Sequence, residues 1–345
     1  MLAGRPSGLT PEGSSNFRGE KMTGLKKYIL MRLISLVFVI FCILSIIFVL
    51  VKFLPGDPTA IFVDSRFSPE MIDMQKKLWG LTDPLWVQYL SYLKNMAIFD
   101  FGRSFFQIQP VREIVLEKLL NTCAMMVPSV ILSVVLGTIL GAVAGWKRGS
   151  KFETTMVTTS LFLRSAPSFF VGILVLMLFS YTLRWLPSGG MSPPGTAAGF
   201  WQTVFSVGFL KHLILPTIVL MSREITGPIL LLRSSMLEVK GSDFLDILRA
   251  KGLSEAQIIK HATRNALLPL VTYVAVMTGL LFQGQVLLEI IFAWPGIGRE
   301  IVTALKDLDY PVAQACFYLM ALTILLMNFI ADLLYGFIDP RITYN

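Results

Sequence analysis

The chain is poor in chemically reactive residues and poor in charge. Its 345 residues include three cysteines and two histidines. Cys42, Cys123 and Cys316 stand far apart in apolar runs, with no C-x-x-C pair and no His-rich tract beside them. That excludes a disulfide scaffold and a zinc site, and it leaves the cysteines as small lipid- or core-facing residues. His212 and His261 both lie near the ends of apolar runs, so neither a Ser/His nucleophile nor a metal site has a supporting cluster. No G-x-x-x-x-G-K-S/T run occurs, so no nucleotide-phosphate cradle is encoded. Charged residues make up 15%, against about 25% in a soluble domain.

Apolar residues fill the gap, at 54% hydrophobic with a mean hydropathy of +0.68. One soluble core cannot hide that much apolar surface, so the chain is read as an integral membrane protein. Intrinsic disorder and a collagen-like repeat fall on the same numbers.

A membrane span needs about 20 apolar residues. Charge-free runs at Leu33–Val51, Leu119–Trp146, Ser165–Leu183, Asn265–Leu288 and Tyr310–Ala331 supply five. The third is preceded by apolar Thr154–Leu163 across a single Arg164. Trp185–Leu210 is uncharged but broken by Pro187, Pro193, Pro194, Gly189, Gly190, Gly195 and Gly199, and reads as an external loop with a short interfacial helix at its end. His212–Leu232, interrupted by Arg223 and Glu224, is a sixth candidate that charge asymmetry decides. With six spans and an internal N-terminus, sixteen Lys/Arg fall in internal segments and four in the two short external loops. Omitting the fourth span would expel the basic 233–264 segment. The expected fold class is therefore all-α: a polytopic membrane protein with six transmembrane helices and both ends inside.

The expected divisions follow. Residues 1–27 are polar and rich in Gly, Ser and Pro, and read as a disordered cytoplasmic N-terminus, with Met22 as an alternative start. Residues 28–51 form the first transmembrane helix, an uncleaved anchor because no small-residue cleavage site follows it. Residues 52–118 form an extracytoplasmic helical segment with eight Lys/Arg and eight Asp/Glu. Its helix starts are Ser68-Pro69-Glu70, stopped by Gly80, then Asp83-Pro84, then Pro110 running into the second span. It reads as a folded cap or as a dock for an external partner. Residues 119–345 form a five-helix core carrying the cytoplasmic loop 233–264.

That loop is the most patterned part of the chain. Asp243 is placed to cap a short helix over Phe244–Lys251, with Phe244, Ile247 and Leu248 on one apolar face. Gly252 sits where a left-handed C-cap belongs. Ser254-x-x-Gln257 is a capping-box pattern opening a second helix. A basic helix–turn–helix tethered at a membrane is a poor reader of DNA; it suits contact with anionic lipid or docking of a soluble partner.

Charges inside spans are costly and so are candidates for function. Arg164 lies about halfway along the third span, and Arg223 and Glu224 midway along the fourth. Glu224 is expected either to neutralise Arg164 across the bundle or to line a water-filled pathway with it. Glu289 and Asp332 read as interfacial or structural. Gly137-x-x-x-Gly141-x-x-x-Gly145 presents small residues on one face and permits close helix contact, with a partner subunit as one candidate.

Several motifs together resemble the permeases of ABC transporters, and within them the peptide/nickel importer group, first permease subunit. They include Arg249-Ala250-Lys251-Gly252-Leu253-Ser254 with His261-Ala262-x-Arg264-Asn265-Ala266-Leu267-x-Pro269. Earlier in the chain stand Leu54-Pro55-Gly56-Asp57-Pro58, Gly80-Leu81-x-x-Pro84-Leu85-x-x-Gln88-Tyr89, Phe101-Gly102-Arg103-Ser104 and Pro167-Ser168-Phe169. Later stand Glu289-x-x-Phe292-x-Trp294-Pro295-Gly296-x-Gly298, Asp309-Tyr310-Pro311, Asp332-Leu333-Leu334-Tyr335 and Asp339-Pro340-Arg341. The resemblance spans roughly residues 28–345.

The resemblance implies a subunit of an ATP-driven importer of di- or oligopeptides in the prokaryotic cytoplasmic (inner) membrane. Its expected partners are a second homologous permease, two ATP-binding subunits, an extracytoplasmic substrate-binding protein and the lipid bilayer, with no nucleic acid. It implies no enzyme activity and no cofactor on this chain, ATP and Mg being held by the partner ATPases. The coupling segment would be Phe244, Asp246, Ile247, Leu248, Arg249, Ala250, Lys251, Gly252, Leu253 and Ser254. One departure stands out. The broader family has Glu-Ala-Ala where this chain has Asp246-Ile247-Leu248, which keeps the acid but enlarges the two residues after it. Rival readings are a nickel-importer permease and an ion-coupled secondary transporter relaying through Arg164, Glu224 and Asp332; an intramembrane enzyme lacks a nucleophile–base pair.

Overall fold

The structure is a computed structural model that describes residues 11–53, 70, 74, 77, 80–196, 199–281 and 286–338. The described residues are all-α, with no strand among them and one isolated antiparallel bridge between Arg103 and Pro110. The motifs at 54–58 and 339–341 and the start at Ser68-Pro69 lie outside the described residues.

Helix α1 (Pro11–Lys52) contains the first apolar run. It reaches back to Pro11, into the stretch whose composition reads as disordered, because Pro11-Glu12 supplies a proline and an acid for a first turn. Gly80 has a left-handed φ of +67°, as a helix stop requires. Helix α2 (Leu85–Ala97) starts after Pro84 and α3 (Val111–Trp146) after Pro110. The 36 residues of α3 extend roughly 54 Å at about 1.5 Å per residue, more than the hydrocarbon thickness of about 30 Å.

Helix α4 (Lys151–Ser165) and α5 (Ser168–Leu176), the latter continued by a π-helical turn at Met177–Thr182, meet at 98°. This corrects the expectation of a continuous third span. Ala166 precedes Pro167 and is extended (φ −73°, ψ 136°), as the proline ring demands of its predecessor. Arg164 consequently sits in the last turn of α4, beside a corner and not midway along a straight helix.

After the short α6 (Phe200–Val204), α7 (Val207–Glu224) and α8 (Thr226–Lys240) form a second bent pair, at 41°. The break falls where Pro228 lacks an N–H for the carbonyl of Glu224. Helices α9 (Asp243–Ala250) and α10 (Glu255–Ala266) make the internal loop. Then come α11 (Leu268–Leu281), α12 (Val286–Ile291), α13 (Ile297–Lys306) and α14 (Tyr310–Ile338). Among the described residues, three helices are long and apolar enough to cross a membrane by themselves, and counting each bent pair as one span raises this to five.

The glycine stripe defines the central contact. A Cβ at Gly137 would fall 2.7 Å from Pro228 Cβ, at Gly141 2.6 Å from the Ile229 carbonyl oxygen, and at Gly145 2.6 Å from Met236 Cβ. The stripe therefore packs on α8 of the same chain and is filled without a partner subunit.

Candidate coupling site and the contacts behind it

Helix α9 begins after Ser242, with Asp243 as its first helical residue, so Asp243 adds first-turn negative charge and is not the cap. The helix stops at Lys251. Gly252, at φ +75°, gives its N–H to the Arg249 carbonyl at 2.9 Å, and the Leu253 N–H reaches the Leu248 carbonyl at 3.3 Å. This pair of bonds is a Schellman closure, and it needs the left-handed residue that glycine supplies. Ser254 and Gln257 form the capping box read from the sequence, with the Ser254 N–H 2.9 Å from Gln257 Oε1.

The buried face of α9 differs from the predicted one. Leu245 and Leu248 enter a cluster with Leu232, Met236, Ile258 and Ala262, while Ile247 is 55% exposed. In an eight-residue helix, apolar residues at 244, 245, 247 and 248 describe two overlapping stripes, and packing against α8 and α10 selects the 245/248 one. Phe244 and Leu253 rest on the edge of the same cluster. Asp246, Arg249, Ala250, Lys251, Gly252 and Ser254 are exposed, and Asp246 pairs with Arg249 at 2.9 Å. The predicted segment thus divides into Phe244, Leu248 and Leu253, which hold it to the chain, and an outer surface topped by Ile247.

Behind this segment, α8 is fastened at two more points that the sequence reading missed. Arg233 sets Nε and Nη2 on Glu153 Oε1 at 2.6 and 2.5 Å, and Glu153 Oε2 accepts the Gly149 N–H at 2.5 Å. Lys240 donates to the Trp146 carbonyl at 2.7 Å and lies 5.4 Å from the centre of the Trp146 ring. The available signal was Ser150-x-x-Glu153, a capping-box pattern at the start of α4; Ser150 Oγ does accept the Glu153 N–H at 3.2 Å.

The intramembrane charges do not converge. Glu224 lies 3.6 Å from Arg223 Nε on its own helix, and no ion pair joins it to Arg164 among the described residues. Adjacent helical residues diverge by about 100°, and the long, flexible Arg223 side chain spans that divergence. Arg164 contributes at longer range to the electrostatic surroundings of Glu224 and of Tyr273. Asp332 pairs with Arg32 of α1 at 3.1 Å. Among the described residues, no ion pair joins any two of the three groups of the ion-relay reading.

At the opposite end, two buried carboxylates join motifs far apart in sequence. Glu289, fully buried, accepts from Thr122 Oγ1 at 2.6 Å and from the Arg299 N–H at 2.8 Å, and Thr122 Oγ1 accepts the Ile297 N–H at 2.9 Å. These bonds satisfy open N–H groups at the start of α13. A Cβ at Gly296 would lie 2.3 Å from Glu289 Oε1, so the carboxylate occupies the space glycine leaves. Trp294 Nε1 donates to the Asn121 carbonyl at 2.8 Å. Asp309 accepts from Ser104 Oγ and from the N–H groups of Phe105 and Phe106, the latter two at 3.1 and 3.2 Å. The structure thereby brings Phe101-Gly102-Arg103-Ser104 onto Asp309-Tyr310-Pro311.

Residues 134–344 match the model of the binding-protein-dependent transport system inner membrane component, and residues 25–126 match the model of the N-terminal part of such membrane components. The chain is 34% identical to the oligopeptide transport system permease protein AppB of Bacillus subtilis, over 92% of this chain and 99% of that protein. It is 36% identical to the dipeptide transport system permease protein DppB of Alkalihalophilus pseudofirmus, with the same coverage. It is 35% identical to the di/tripeptide transport system permease protein DppB of Pseudomonas aeruginosa, again with the same coverage.

Proposed function

The chain belongs to the family of inner membrane components of binding-protein-dependent transport systems, and from that premise we propose that it is the transmembrane permease subunit of an ATP-driven importer of di- or oligopeptides. The observation that carries this reading is identity of about a third over 92% of the chain to permeases named for oligopeptide, dipeptide and di/tripeptide transport. The subunit works in an inner membrane, with a second permease beside it, two ATP-binding subunits below and a binding protein above.

Six spans with both termini inside are the topology of this reading. The bent pairs α4–α5 and α7–α8 are the third and fourth spans, and the 265–288 region is the fifth. This arrangement leaves 233–264, with its six Lys/Arg, on the cytoplasmic side.

The coupling segment is the surface for an ATPase. Its outer face offers Ile247 for an apolar groove and Arg249 and Lys251 for acidic partners. Closure of the ATPases on ATP moves α9 as a rigid unit, because Leu245 and Leu248 seat it on α8 and α10. Helix α8 carries that movement to α3 along the glycine stripe and to α4 through Arg233–Glu153, and the paired permeases switch from inward- to outward-open. The binding protein then delivers peptide to the cavity, and hydrolysis resets the gate.

Reconstitution tests the whole reading. The chain, co-expressed with its neighbouring transport genes, should co-purify with ATP-binding subunits and drive ATP-dependent peptide uptake into proteoliposomes only when binding protein is present. Uptake by this chain alone, driven by an ion gradient and indifferent to ATP, overturns it.

A further inference from the structure

A cleft of about 360 Å³ opens at the end of the molecule opposite the coupling segment, between the C-terminal turn of α1, α2, the 100–105 turn and the start of α14. Its size falls in the range of small-ligand pockets, about 300–1,000 Å³. Its lining is amphipathic. Phe48, Met96 and Phe101 contribute apolar surface, and the polar groups carry both signs of charge.

Among the described residues, three of the polar groups have no side-chain hydrogen-bond or ion-pair partner. Tyr92 is 7% exposed, and its hydroxyl, fully buried, has no hydrogen-bond partner. A buried hydroxyl left unsatisfied is destabilising, so a ligand in the cleft gains by bonding it once the lining shifts to expose it. The Asp83 carboxylate and the Arg103 guanidinium line the same cleft, and neither makes an ion pair or side-chain hydrogen bond among the described residues. The other two charges are already engaged: Lys52 donates to Gln88 Oε1 at 2.5 Å, and Asp100 accepts the Gly102 N–H at 3.2 Å. Among the described residues the cleft thus offers an anion, a cation and a phenol without such partners. An ion of a single sign would meet repulsion from one of these two charges, whereas a zwitterion is matched by both.

We propose that this cleft is a binding site for a short zwitterionic peptide, with Asp83 taking the ammonium group, Arg103 the terminal carboxylate, and the Tyr92 hydroxyl a polar group of the peptide backbone. The proposal rests on the peptide-importer reading and adds to it a second, external peptide site carried by the permease itself, independent of the binding protein. Burial pushes the Tyr92 phenol well above the usual tyrosine range, with Tyr318 and Tyr89 adding to the shift, so it is a neutral donor at physiological pH. Placed at the outer mouth, the cleft would hold peptide close to where the binding protein releases it.

Equilibrium dialysis tests it, using the full transporter in nanodiscs without binding protein and radiolabelled Ala-Ala as probe. Saturable binding is expected. Arg103→Ala and Asp83→Asn should each weaken it about tenfold, as loss of a hydrogen bond to a charged group does. Tyr92→Phe keeps the ring packed 5.5 Å from Phe48 and should weaken binding severalfold. N-acetyl-Ala-Ala-amide, which has neither charge, should not compete. No saturable binding by a complex that imports Ala-Ala when binding protein is added overturns the cleft proposal alone. Equal competition by the capped peptide, or binding unchanged in all three variants, overturns it as well. A complex that fails to import any peptide refutes instead the reading on which the proposal rests.

Discussion

Arg233 places two nitrogens on one carboxylate oxygen of Glu153, and so ties α8 to the start of α4. Glu153 is almost fully buried and Arg233 about a third exposed, at 8% and 32% of side-chain surface. Breaking a buried pair by removing one partner costs about 3–5 kcal/mol, and solvent at Arg233 reduces the expectation to roughly 2 kcal/mol. Glu153→Gln should therefore lower the thermal midpoint of the purified complex. Arg233→Lys keeps the charge without the two-nitrogen geometry and should fall between. A midpoint unmoved by Glu153→Gln would remove this joint from the transmission route.

The glycine stripe predicts an asymmetric response to small substitutions. A methyl at Gly141 meets the Ile229 carbonyl oxygen at 2.6 Å and its Cα at 3.0 Å, and backbone cannot rotate away. Alanine gains about 1 kcal/mol of helix propensity over glycine, but overpacking costs about 1–3 kcal/mol. Gly141→Ala should be net destabilising. Ile139→Ala, on the exposed face of the same helix, should stay within about 0.5 kcal/mol. Equal behaviour of the two, measured by thermal unfolding, would show that α8 does not press on α3.

What the sequence made legible was mostly local. Gly252, Ser254 and Gln257 announce their turn and cap because those bonds close within a few residues, and Gly137, Gly141 and Gly145 announce a close contact by period alone. The partner of that contact was not legible, since spacing says that a helix approaches but not which one. Pro167 stood inside an uncharged run, and hydropathy counts it like any other residue of the run, although its effect on Ala166 carried the 98° corner. Glu289 with Thr122, and Asp309 with Ser104, lie 167 and 205 residues apart. Nothing in the pattern of either segment specifies the other.

Gly252 allows backbone strain to be separated from crowding. No heavy atom lies within 4 Å of a Cβ placed there, yet φ is +75°. A side chain has room, and only the backbone objects, by about 1–2 kcal/mol for a β-branched residue and far less for asparagine. Gly252→Val should leave the complex assembled but abolish stimulation of ATP hydrolysis by binding protein and peptide, together with transport. Gly252→Asn should retain both. Normal stimulated hydrolysis in the valine variant would count against the coupling assignment.

Glu300, in helix α13, links stability to pH. Burial pushes its carboxyl above the ordinary value of 4.5, and Asp309 and Glu117 add to the rise while Lys118 and the hydrogen bond from Gln107 oppose it. A carboxyl raised in the folded state contributes stability that is complete below the unfolded value and is lost as pH rises through the folded one. The midpoint of unfolding should therefore decline as pH rises from about 4.5, and Glu300→Gln should flatten that part of the profile. Parallel profiles for wild type and variant would show that Glu300 ionises alike in both states.

Glu224 decides between structure and pathway. Its contact with Arg223 is long, at 3.6 Å, and Arg223 is 56% exposed. Such a pair contributes on the order of 0–1 kcal/mol, and, lying within α7, it joins no two helices. The carboxylate also stands at the break before Pro228, where α7 and α8 bend by 41°. A charge kept at a bend in a span, without a strong partner, is suited to lining a water-filled route. Glu224→Gln should assemble with its partner subunits at wild-type yield and thermal midpoint, while peptide uptake falls about tenfold or more, a loss of about 1.4 kcal/mol in the barrier for translocation. Stimulated ATP hydrolysis should persist, because the coupling segment is untouched. Collapse of assembly would assign Glu224 to the scaffold, and full transport with intact assembly would remove it from both roles.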